Sequence, residues 1–77
     1  MASAIEFDRP TATIRSGDRV VAMQAKYPCG DQGCFTYWAR NIELGGSLSV
    51  AVSQAIMTSP ADISGEDLAK KIAGQLN

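Results

Sequence analysis

The stretch RVVAMQAKY-PCGDQGC-FTYWARNIEL, residues 19–44, decides how the chain is read. Its first part alternates. Val21, Met23, Ala25 and Tyr27 fall on one side of an extended chain, and Val20, Ala22, Gln24 and Lys26 on the other. A period of two belongs to a strand whose faces meet different surroundings. Pro28 ends the run, because it has no N–H to give to a ladder. A glycine-rich turn bounded by Cys29 and Cys34 follows. Phe35 to Leu44 then reads as a second strand. Phe35, Tyr37 and Ala39 share one side; Trp38, Ile42 and Leu44 share the other with Thr36 and Arg40. Large apolar groups on both sides leave two readings: a central strand covered twice, or a strand with one face exposed for recognition.

Upstream, Ser16-Gly17-Asp18 is a turn signal between alternating runs and predicts a hairpin. Ile5 and Phe7 alternate with Glu6 and Asp8, a half-buried strand. Pro10 confines that strand to an edge or breaks it. Thr11 to Arg15 resumes the alternation, and either two strands or one bulged strand fits. Glu6 and Asp8 read as a solvated acidic edge that discourages stray strand pairing.

Downstream, Gly45-Gly46 breaks the second strand and Ser47 offers an N-cap. Leu48, Val52, Ala55 and Ile56 follow at helical spacing, which predicts a helix over 48–57. Leu48, Val50 and Val52 also alternate, so a strand is the rival; the Ser-Gln-Ala-Ile-Met continuation favours helix. Ser59-Pro60 closes it. Ser64 caps a last helix, with Glu66 and Asp67 in its first turn and Ile63 placed to staple onto Leu68. Leu68, Ala69, Ile72, Ala73 and Leu76 form its apolar stripe, and Lys70 and Lys71 its solvated side. The expected fold is α+β, a single domain over 1–77: a small antiparallel sheet of three or four strands with two C-terminal helices packed on one face.

Composition narrows the function. Seven cations stand among eight anions with no block of either sign, which argues against nucleic acid as a partner. No apolar run approaches the ~18 residues of a membrane helix. No leader pattern opens the chain, so a cytoplasmic location is expected. The absence of histidine removes His-based acid–base work, Ser-His and Cys-His nucleophiles and most zinc sites.

Cys29 and Cys34, spaced C-x4-C, suit a disulfide or structural thiols, thiols of no consequence, or a redox or metal role. Two cysteines plus Asp31 fall short of the four ligands that zinc takes. Gly30-Asp31-Gln32-Gly33 and Gly45-Gly46-Ser47 read as turns rather than anion cradles. Phe35 and Tyr37 are expected to pack in the core. Trp38 beside Arg40 has the composition of an interface anchor.

The expected function is a non-enzymatic protein-binding module, an inhibitor or adaptor that occupies the surface of a larger protein or complex. Its candidate contacts are Trp38, Arg40, Tyr37, Asp31 and Gln32; no catalytic residue, metal or cofactor is expected. A homodimer subunit and a thiol redox or metal protein using Cys29 and Cys34 are the alternatives. Small phage-encoded inhibitors of host defence complexes share this size and plainness, an analogy of size alone.

Overall fold

The computed structural model describes residues 5–28 and 35–76. Four strands form one antiparallel sheet in chain order: β1 (Ile5–Asp8), β2 (Thr13–Ser16), β3 (Arg19–Lys26) and β4 (Thr36–Arg40). Helices α1 (Gly46–Met57) and α2 (Gly65–Leu76) pack side by side on the same face, α1 over β3 and β4, α2 over β1 and β2. This is the expected α+β class.

Each connection has a local cause. Residues 9–12 turn between β1 and β2, so the region around Pro10 makes two strands, with Ala12 held at φ 54° and its N–H bonded to the Arg9 carbonyl at 3.2 Å. The β2–β3 turn places Gly17 at φ +66° opposite the Ser16–Arg19 pair. This is the first central position of a two-residue hairpin, where a II′-type turn needs a residue without Cβ.

β3 carries a bulge. Ile14 pairs with Ala22 and Arg15 with Val20, leaving Val21 unpaired between them. A bulge sets two consecutive side chains on one side. Val21 and Ala22 are accordingly both fully buried against the helices. The strict alternation expected for β3 therefore fails at one point. Val21 joins the core, while Met23, Ala25 and Tyr27 point to the helix-free face.

β4 is shorter than the predicted strand. The Asn41 side chain donates to the Val20 carbonyl at 2.8 Å and accepts from the Glu43 N–H at 3.0 Å. A side-chain amide that takes a backbone N–H two residues on makes its own turn. Ile42 is left exposed and Leu44 returns to the core. The helix reading of 48–57 is correct over its rival, but α1 starts two residues earlier. Gly45 occupies the N-cap position without a side-chain cap bond, so Ser47 is not the cap.

α2 begins as predicted. Ser64 Oγ accepts from the Asp67 N–H at 3.2 Å, and Glu66 and Asp67 sit at the positive end of the helix dipole. Ser64→Ala is expected to cost about 1 kcal/mol and lower Tm by about 4–8 °C in a thermal melt. An unchanged Tm would rule out the cap. Lys70 is exposed, but Lys71 is not simply solvated. Its ammonium donates to the Thr58 carbonyl at 3.0 Å and Ser59 Oγ at 2.9 Å, capping the C-terminus of α1 from α2.

The core gathers Ile14, Val21, Trp38, Val52, Leu68 and Ile72, with Phe7 and Ile63 packed against it. Trp38 is 5% exposed; its indole N–H donates to the Ile63 carbonyl at 2.8 Å, and its ring meets Phe7 edge-on at 6.1 Å and 79°. The α1–α2 connection is thereby fastened to the middle of β4. Among the described residues no helix is long and apolar enough to cross a membrane.

Candidate functional site

The reach of the helices over the sheet determines which side chains stay free. On the helix side of β3 and β4, the Gln24–Trp38 pair brings together an exposed glutamine and a buried indole. One pair further out, Lys26 and Thr36 are both exposed. The end of the hairpin thus projects past the helices.

The helix-free side of the same hairpin carries the aromatic residues. Register places Met23 opposite Ala39 and Ala25 opposite Tyr37, and the Tyr27 N–H donates to the Phe35 carbonyl at 3.0 Å. Tyr27 and Phe35 are each 54% exposed, Met23 38% and Tyr37 36%. The Tyr27 and Phe35 rings stack at 5.2 Å with 8° between planes, and Tyr37 lies 6.4 Å from Phe35 at 55°. An aromatic pair of this kind contributes about 0.5–1.5 kcal/mol beyond its buried area, which favours the grouped arrangement of the rings.

Charge is uneven along the chain. Among residues 19–28 and 35–41, Arg19, Lys26 and Arg40 are cations and no carboxylate is present. The acidic side chains of the sheet lie on β1, where Asp8 meets Arg15 at 3.8 Å.

The predicted contacts divide. Trp38 is a core residue, not a surface anchor: an indole of this size with a polar N–H finds both apolar cover and a carbonyl only beneath the helices. Arg40 is half-buried and donates to the Asn41 carbonyl at 3.2 Å, so the Trp38–Arg40 pair does not form the expected face. Tyr37 is exposed, as a contact must be. Phe35 and Tyr37, expected in the core, are on the open side instead. Asp31, Gln32, Cys29 and Cys34 lie outside the described residues. Sequence reasoning missed Tyr27, Phe35 and Met23 as surface residues; for Tyr27 and Phe35, their place beside the Cys-flanked glycine-rich stretch was the available signal, and for Met23, mid-strand opposite Thr13 and Ala39, there was none.

Among the described residues no three His, Cys, Asp or Glu side chains gather to hold a metal ion. Comparison of the chain with protein-family models, with curated proteins and with solved structures gives no match.

Proposed function

We propose that the chain is a small binding module without catalytic chemistry of its own, which acts by laying the β3–β4 hairpin on the surface of a larger protein. The observation that carries this reading is the clustered aromatic group Tyr27, Phe35 and Tyr37, exposed on the helix-free side of the sheet. Aromatic side chains are the commonest anchors of protein interfaces. At these exposures the three rings leave on the order of 250 Å² uncovered, worth about 6 kcal/mol when buried and before the costs of association. That is enough for a hot spot. It falls short of the ~800 Å² per partner of a standard interface, so the hairpin's edge and flanks must contribute as well. Occupying a partner in this way blocks a site or holds a conformation, the work of an inhibitor or an adaptor.

The test is partner capture from a lysate of the cells that make the protein, with the parent chain and Tyr27→Ala/Phe35→Ala as baits. Both side chains are half exposed, so the variant is expected to melt within a few degrees of the parent. Capture of the partner is expected to weaken by about thirtyfold, the equivalent of ~2 kcal/mol at a hot spot. Equal capture by a folded variant would remove the aromatic group from the interface.

A further inference from the structure

We infer that the free edge of β4 accepts an extended acidic segment of a partner protein as a fifth strand. This mode of docking presupposes the hairpin's role proposed above, and it specifies the geometry and charge of what docks.

The ladder determines which backbone groups are available. The Tyr27 N–H bonds the Phe35 carbonyl and the Asn41 N–H bonds the Val21 carbonyl at 3.0 Å each. Phe35, Tyr37, Ala39 and Asn41 therefore turn their N–H and C=O groups toward β3. In an antiparallel pair the intervening residues turn theirs away. Thr36, Trp38 and Arg40 aim their backbone groups outward, and no described strand pairs with them. Such an edge is a template for another strand unless it is guarded. The opposite edge is guarded: β1 has four residues, carries Glu6 and Asp8, runs into Pro10, and lies beside α2, to which Arg9 is tied through Glu66. β4 has neither acidic side chain nor proline.

The occupant's chemistry follows from the alternation of side chains. On a strand added to β4, one set would lie beside Tyr37 and Ala39 on the helix-free side, extending the aromatic patch; apolar residues suit it. The other set would lie beside Thr36 and Arg40, with Lys26 one strand further in. Arg40 on this edge and Lys26 on the neighbouring strand favour acidic side chains there and repel basic ones. Nucleic acid fits less well. Base stacking needs open ring faces, and Tyr27 and Phe35 have each committed one face to the other.

The probe is a short capped peptide of alternating Glu and Val, set beside its Lys-for-Glu counterpart and an oligo-dT strand, with amide exchange of the full chain read by NMR. The Glu peptide is expected to slow exchange at Thr36, Trp38 and Arg40 and to bind at least about tenfold more tightly than the Lys peptide. Thr36→Pro deletes an outward N–H and none of the ladder, a substitution that edge strands tolerate. It is expected to weaken the Glu peptide by about tenfold or more, one backbone hydrogen bond together with the clash of the ring against the incoming strand. Should Thr36→Pro fail to fold, the exchange pattern of the parent chain decides. Four results would overturn strand addition: no binding of the Glu peptide, equal binding of the Lys peptide, the same protection produced by oligo-dT, or protection that appears without peptide and grows with protein concentration, which would put a second copy on the edge. Glu-peptide binding that perturbs only Tyr27, Phe35 and Tyr37 would also overturn it, yet leave the aromatic docking role standing. Equal partner capture by Tyr27→Ala/Phe35→Ala is the separate result that removes that role.

Discussion

Trp38→Ala is expected to lower the urea midpoint of unfolding steeply. Truncating a buried Trp costs about 3–5 kcal/mol in lost burial and residual cavity. The substitution also strips the Ile63 carbonyl of the indole N–H that it accepts, and Phe7 of its edge-on neighbour. A chain of 77 residues has a total stability of about 4–12 kcal/mol, so one residue removes a large part of the margin. Trp38→Phe keeps a ring under the helices and loses the hydrogen bond and some volume, at about 1–2 kcal/mol. Urea unfolding followed by circular dichroism measures both. If Trp38→Ala melts within a few degrees of the parent, the indole is not a core group, and the original expectation of a surface anchor returns.

The second large effect is expected at Gly65. This glycine opens α2 with its Cα against the Phe7 ring, and a Cβ built on it would overlap that ring. A shift of the Phe7 ring would also disturb its edge-on contact with the Trp38 indole. Gly65→Ala is therefore expected to destabilise by about 1–3 kcal/mol despite alanine's better helix propensity, and Gly65→Val by more. The double variant gives the decisive comparison. Phe7→Leu alone should be costly, but in the Gly65→Ala background it should cost less or nothing, since the smaller side chain relieves the overlap. Additive losses would show that the two residues do not press on each other.

Much of the architecture is legible from local signals. Ser16-Gly17-Asp18 specifies its hairpin through one residue free to take positive φ, and Ser64 specifies the start of α2 through one hydroxyl. The features that escaped are tertiary. Both sides of β4 are apolar, so alternation separates Tyr37 from Trp38 without saying which belongs inside. That depends on a carbonyl 25 residues away, at Ile63, and on where the cover of α1 ends. The end of β4 escaped because Asn41 acts through its side chain on Val20 and Glu43, while Ile42 and Leu44 continue a strand-like pattern. The candidate site was half visible: Tyr37 was named, but its partners Tyr27 and Phe35 are surface residues because both helices pack on the other face of the sheet.

The unpaired Val21 has a consequence for how this chain can change over generations. Side chains beyond it are out of phase with those before it, so losing that single codon would force one half of β3 to rotate by half a turn. Either Met23, Ala25 and Tyr27 would swing inside while Gln24 and Lys26 swung out, or the residues preceding the bulge would invert instead. Point replacements in the outer hairpin change one side chain at a time and leave this phase intact, whereas a one-residue deletion a few positions earlier would turn the display inside out in one step.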